Sequence, residues 1–238
     1  MNTKNYLECD YGSESYFYGS HLTSGCVPRF VVRLDAPVNE EVLCQTMEDI
    51  LPRFPQMTVK VVRTADGCNC TFADNEAAFE VFHDQGDVVR TIGTADTHFY
   101  LFSVTWHDDV LLFDFHHLLG DGNGFIIFIK AVIYRYMELM GVPVRNDGSI
   151  LTVNRPYLPE EGEDAYHLLE GCTPSIPDWY KPGLPVFNVP DISTADDPAD
   201  TVVQITIPFK EFRHVFKAYH SSPVTFLSPL FSHAIYER

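Results

Sequence analysis

The chain has 238 residues, 45% of them hydrophobic and 13% aromatic, enough apolar material for one large domain or two small ones and too much for a disordered chain. Against 33 Asp and Glu stand 16 Lys and Arg, a formal charge of −17, so long-range repulsion disfavours nucleic acid or an anionic membrane surface as a partner, and any anionic ligand needs a local basic pocket. No apolar run reaches the length of a membrane span, the polar start Met1 to Asn5 lacks the core of a secretory signal, and the six irregularly spaced cysteines favour a reduced, cytoplasmic setting.

In chain order, Arg29 to Asp35 predicts a strand rich in β-branched residues, and Val38 to about Leu51 a helix with Val42, Leu43, Met47 and Ile50 on one side. Pro52 and Pro55 end that helix. Met57 to Arg63 alternates as a second strand, and shorter strands are expected at Cys70 to Ala73 and Phe79 to His83. Cys68 and Cys70 have no second Cys/His pair at zinc spacing, so they read as loop cysteines, and no metal is expected.

A hairpin follows, with His98 to Trp106 and Val110 to His116 flanking the turn residues His107, Asp108 and Asp109. Its second arm enters the glycine-rich bend Gly120, Asp121, Gly122, Asn123, Gly124, which opens a helix from about Phe125 to Met140 that is apolar nearly all round and therefore expected to be buried. Residues 144–200 are rich in proline and acidic residues, with one modest helix expected at about Glu160 to Glu170, and read as a connector. Thr201 to Ile207 alternates as a strand, and helices are expected from Pro208 to Tyr219 and from Pro223 to Glu237.

The chemistry-bearing pattern is His116-His117-Leu118-Leu119-Gly120-Asp121-Gly122, an HHxxxDG sequence where a hydrophobic strand meets a helix start. With four positions fixed, it arises by chance in about two chains per thousand of this size. The shorter HxxxD form is weaker: His83 to Asp87 matches it with no following glycine and no adjacent buried helix. Strand alternation places His117 on the side of Phe115, Phe113 and Leu111, where burial would favour the neutral imidazole, and His116 on the side of Asp114 and Leu112. Taken singly, each residue has a plainer role: His117 a core histidine, Asp121 a helix N-cap, the glycines turn formers. Together, at this spacing, they favour a catalytic site.

This motif resembles that of the thioester-dependent acyltransferases, the superfamily of chloramphenicol acetyltransferase, alcohol acetyltransferases and nonribosomal-peptide condensation domains. The resemblance implies a two-layer α/β sandwich with a mixed, largely antiparallel sheet. It also implies acyl transfer from acyl-CoA or an acyl carrier thioester, as co-substrate, to an alcohol or amine, with no separate cofactor. On that pattern His117 is the general base, His116 supports it, and Asp121 turns away from substrate to pair with an arginine. Leu51-Pro52-Arg53-Phe54-Pro55 resembles the family's arginine segment and makes Arg53 the expected partner, although Met57 stands near the place of a second arginine. Gly120, Gly122, Asn123 and Gly124 would line the channel and let a pantetheine arm approach the backbone.

Full-length members have two similar lobes with the tunnel between them. Residues 1–150 correspond to the first lobe, 151–200 to a connector and 201–238 to the beginning of a second. No DFGWG-like segment occurs. The expected partners are a thioester donor, a small acceptor, and a carrier protein or second lobe. Tyr11, Tyr16, Phe17 and Tyr18 could line an acyl channel, with ordinary packing the plainer role. Two alternatives stay open: a non-catalytic docking lobe of the same fold, and a peptide condensation domain detached from its assembly line.

Overall fold

Because Leu111, Phe113 and Phe115 alternate along one strand with no charged residue between them on that face, they demand cover from an apolar layer, and this organises the first unit of the chain. The structure, a computed structural model, describes residues 27–63, 70–86, 90–162 and 205–237. Two units divide the chain, Met1–Cys172 and Thr173–Arg238.

In the first unit a four-stranded sheet has the order β1, β6, β5, β4, built from β1 (Arg29–Arg33), β4 (Val81–His83), β5 (Phe102–His107) and β6 (Val110–Phe115). β6 pairs antiparallel with β1 (Arg29 opposite Asp114) and with β5 (Phe102 opposite Phe115), while β4 runs parallel to β5. A separate antiparallel pair joins β2 (Val59–Arg63) to β3 (Cys70–Asp74). The unit is α/β with a mixed, largely antiparallel sheet, as the sequence led us to expect.

Two helices form the second layer. Asn39 opens α1 (Glu40–Ile50) because its Oδ1 accepts the Val42 N–H at 3.1 Å, and Glu40 and Glu41 complement the positive end of the helix dipole. The Asn39 N–H donates to the Tyr136 hydroxyl at 2.7 Å, which ties the start of α1 to α2 (Gly122–Leu139). Leu43, Met47 and Ile50 of α1 and Phe125, Phe128 and Val132 of α2 meet Phe102, Val104, Leu111, Phe113 and Phe115 in one core. Each such burial is worth about 1.5–3 kcal/mol, so the face that β6 turns to the helices is set by its odd-numbered residues.

The other face of β6, with Val110, Leu112 and Asp114, is buried too, and it includes a charge. Asp114 is 2% exposed, a position tolerable for a carboxylate only with full compensation. Arg29 supplies it, donating from Nε at 2.7 Å and from Nη2 at 2.8 Å to the two carboxylate oxygens, and from Nη1 to the Gly86 carbonyl at 2.6 Å.

Several expectations change. The first arm of the hairpin begins at Phe102 rather than His98, because His98 and Phe99 take left-handed conformations (φ 50° and 65°) that a strand cannot include. Helix α2 is not buried all round: Ile126 and Ile127 are 41% and 44% exposed, since a helix lying on a sheet and one neighbouring helix covers only the stripe running through Phe125, Phe128, Val132 and Tyr136. The helix expected at Glu160 to Glu170 is a 3₁₀ turn over Pro159–Gly162, the remainder lying outside the described residues. Residues 205–207 form no strand, and 201–204 lie outside the described residues. So do Tyr11, Tyr16, Phe17, Tyr18 and Cys68.

The second unit, described by itself, holds α3 (Phe209–Ala218) and α4 (Pro223–Tyr236). Ser222 caps α4 by accepting the Thr225 N–H at 3.1 Å, and Phe212 and Tyr219 contact Phe226 through their rings. Among the described residues, no helix is long and apolar enough to cross a membrane.

Candidate active site

The chain leaves β6 at Phe115 and reaches α2 at Gly122 through a corner of six residues, each with a definable task. His116 is still extended (φ −76°, ψ 132°), its N–H donating to the Leu101 carbonyl at 2.8 Å, so the strand's hydrogen bonding reaches one residue beyond its end. His117–Leu119 then make a 3₁₀ turn, with the Leu119 N–H on the His116 carbonyl at 3.0 Å. Gly120 takes φ 148° and ψ −167°, an extended conformation that side-chain-bearing residues rarely enter. Asp121 caps α2: its Oδ1 accepts the N–H groups of Asn123 and Gly124, each at 3.0 Å.

These bonds place the two histidines differently from strand alternation. His117 was expected to turn inward with Phe115 and Phe113, but β6 stops at Phe115 and the 3₁₀ turn rotates the next side chains off the strand's period. His116 takes the buried position at 6% exposure, with Nδ1 accepting the Leu118 N–H at 3.2 Å. His117 is half-buried. Its ring meets Phe125 edge-on at 6.2 Å, and Phe125 is itself stacked on Phe115 at 4.3 Å, a rigid apolar floor.

Gly120, Asp121, Gly122, Asn123 and Gly124 all lie exposed along the corner. A Cβ built at Gly122 meets nothing within 4 Å, so this side of the helix start is open. The structure therefore gathers His116, His117, Gly120, Asp121, Gly122, Asn123 and Gly124 at one corner, and it does not bring Arg53 to them.

The expected pair between Arg53 and Asp121 is not formed. Arg53 is 4% exposed and donates from Nη1 and Nη2 to the two carboxylate oxygens of Glu161, both at 2.9 Å. That fork-to-fork geometry satisfies both terminal nitrogens, while Asp121 Oδ1 is occupied by backbone donors of its own helix. The guanidinium beside it holds the Glu161 carboxyl below the usual carboxylate range. Sequence reading missed Glu161, which lies 108 residues away within an acidic stretch that offered no reason to single it out. The Arg29 and Asp114 pair beneath the corner was missed for the same reason: opposite charges 85 residues apart carry no local signal.

Elsewhere in the first unit an open groove of about 500 Å³ is lined by Cys44, Met47 and Leu51 at α1 and its end and by Phe79, Val81 and Tyr100 among others, and by no residue of the corner. Burial pushes the Cys44 thiol up, with Glu40 and Glu48 adding to it, so it is not an activated nucleophile. Among the described residues, no group of three or more His, Cys, Asp or Glu is placed to hold a metal ion.

Together these features define an α/β lobe whose central strand ends in an HHxxxDG corner with one half-buried histidine beside an open helix start. No protein-family model matches the chain, and no curated protein matches it at a significant level. Among solved structures, the chain is similar to polyketide synthase associated protein 5 from Mycobacterium tuberculosis, with 15% identity over 61% of this chain and 35% of that one and a TM-score of 0.44. A variant of the starter condensation domain of rhizomide synthetase RzmA, in complex with C8-CoA, is similar at 11% identity over 62% of this chain and 39% of that one, TM-score 0.48. The first condensation domain of the calcium-dependent antibiotic synthetase, in complex with a substrate analogue, is similar at 11% identity over 60% and 40%, TM-score 0.42. The chain thus spans between 35% and 40% of the length of these three structures.

Proposed function

We propose that this chain is the motif-bearing lobe of an acyltransferase that moves an acyl group from a thioester, acyl-CoA or acyl-pantetheine on a carrier, to an alcohol or amine. The observation that carries this reading is the half-buried ring of His117, set on a rigid phenylalanine floor beside a helix start that glycines leave open.

In this mechanism His117 accepts the proton of the acceptor hydroxyl or amine as that oxygen or nitrogen attacks the thioester carbonyl. The C–S bond of the resulting tetrahedral intermediate breaks, and the thiolate takes the proton back from the imidazolium, so no acyl-enzyme forms and the base is regenerated. Proton transfer by a placed histidine contributes about 10²–10⁴-fold, and holding donor and acceptor in line adds more. Asp121 works on the scaffold side, keeping the first turn of α2 in register with the corner.

Release of free thiol from acetyl-CoA or octanoyl-CoA, in the presence of a panel of alcohols and amines, tests the proposal. We expect His117→Ala to lower turnover by about 10²-fold or more, with the thioester still bound. Turnover unchanged in the variant removes His117 as the base. Tight binding of CoA or of a carrier protein by the wild-type chain, without turnover for any acceptor, supports instead a docking lobe that keeps the fold without the chemistry.

A further inference from the structure

We propose that His116 is a positioning residue held as its Nε2–H tautomer, and that the lone pair on Nδ1, rather than any proton the ring gives or takes, sets the turn that presents His117.

The hydrogen bond at 3.2 Å runs from the Leu118 N–H to Nδ1 of His116. A donor aimed at Nδ1 requires a lone pair there, and a neutral imidazole carries one donor and one acceptor nitrogen, so the hydrogen sits on Nε2. A proton on Nδ1, in either the other tautomer or the imidazolium, would face an N–H. The bond also meets a need of the backbone. The first N–H groups of a helical turn have no partner within the turn, and Leu118 is 5% exposed, too buried for water to serve. The ring of His116 is the group that satisfies it.

What matters for chemistry is the residue this bond spans. His116 accepts from Leu118, and His117 lies between them, so the bond closes a small ring around the backbone of the proposed base and restricts both of its torsions. The rest of the corner holds His116 in turn. Its N–H is on the Leu101 carbonyl at 2.8 Å, its carbonyl takes the Leu119 N–H at 3.0 Å, and two residues back along the same face the Asp114 carboxylate has both oxygens on Arg29. With its backbone fixed at both ends and its ring buried, His116 can place Nδ1 reproducibly, and His117 inherits that precision.

The proposal deepens the acyl-transfer reading in its kinetic arm and stands without it in its spectroscopic arm. Asn at position 116 puts its side-chain carbonyl where Nδ1 was, whereas Gln puts one nearer the place of Nε2 and leaves the Leu118 N–H unserved. We expect His116→Asn to retain thioester turnover within about threefold, and His116→Gln and His116→Ala to lose about tenfold to a hundredfold in kcat with little change in KM, the size expected when a base is misplaced by about an ångström. Equal activity of the Asn and Gln variants overturns the proposal. Imidazole ¹⁵N spectra of the wild-type full chain read the tautomer directly, whether or not the chain turns over and whether or not a variant folds. His116 should show a protonated Nε2 and an unprotonated Nδ1; a hydrogen on Nδ1 refutes the assignment outright.

Discussion

At the level of single residues, the two glycines that flank Asp121 do different work, and the motif fixes only the second of them. Gly120 is required by conformation: at φ 148° an added Cβ is strained whatever the space around it. Gly120→Ala should therefore lower stability by about 1–3 kcal/mol, read as a fall in Tm. Gly122 is the first residue of α2, in helical conformation with open space where a side chain would go. Alanine there restricts the unfolded chain and should stabilise by about 0.4–1 kcal/mol. If the open side is where the pantetheine arm runs, the same methyl raises KM for the thioester several-fold while Tm rises. A higher Tm with unchanged KM would place the donor's path elsewhere. HHxxxDG fixes Gly122 and leaves position 120 open, so its letters do not show that Gly120 is the residue whose torsions require glycine.

Among secondary-structure elements, the deciding contacts join segments far apart in sequence. Arg53, in the 3₁₀ turn Leu51–Arg53 that follows α1, holds the 3₁₀ turn at Pro159–Gly162 through Glu161, and beside it Leu151 and Val153 pack on the core. The early part of the proline-rich stretch is thus fastened to the first unit. Removing Arg53 while leaving Glu161, or the reverse, breaks a largely buried pair, and Glu161→Gln should cost about 3 kcal/mol because it strands a guanidinium whose side chain is 3% exposed. Asp121→Ala should cost about 1 kcal/mol, the loss of a cap, and Asp121→Ser should restore most of it. A double-mutant cycle separates the two. Arg53→Met combined with Asp121→Ala should be additive to within about 0.5 kcal/mol, whereas Arg53→Met combined with Glu161→Gln should not be; strong coupling between Arg53 and Asp121 would reinstate the pair that the resemblance suggested.

The same contact has a pH signature. The Glu161 carboxyl is held below its ordinary range first by the hydrogen bonds from Arg53, and an acid whose folded-state pKa is depressed stabilises the fold above its unfolded value, about 4.3 for glutamate. That stabilisation is complete above about pH 5 and is lost as pH falls through the folded value. Denaturation midpoints of Glu161→Gln should therefore lie below wild type at pH 7 and converge on it in acid. Parallel curves down to about pH 3 would sink the linkage.

For the molecule as a whole, charge rather than packing makes the sharper statement. With a net charge of −17, approach of the phosphates of CoA is opposed at distances comparable to the Debye length, about 10 Å at 0.1 M salt. If the donor is an acyl-CoA, kcat/KM should rise as salt is increased from about 0.01 to 0.15 M, while the uncharged S-acyl pantetheine should be nearly insensitive. A fall with added salt for acyl-CoA would reveal a local basic pocket strong enough to dominate the field.

Much of the first unit was legible because its information is local. β-branched residues marked β1, alternation marked β6, the residues His107, Asp108 and Asp109 marked the hairpin although His107 belongs to β5, and the glycine-rich bend marked the approach to α2, which opens at Gly122 rather than at the expected Phe125. The spacing from His116 to Gly122 singled out the corner through the family resemblance it carries. Burial and pairing could not be read the same way. Which histidine is enclosed depends on the strand ending two residues before His117; which carboxylate holds Arg53 depends on a segment 108 residues away; and which side of α2 stays open depends on how little surface one sheet face and one helix can cover. Short-range periodicity is a property of the backbone and is written residue by residue, whereas the cost of an unpaired buried charge is settled only when the folded chain brings its partner within hydrogen-bonding distance.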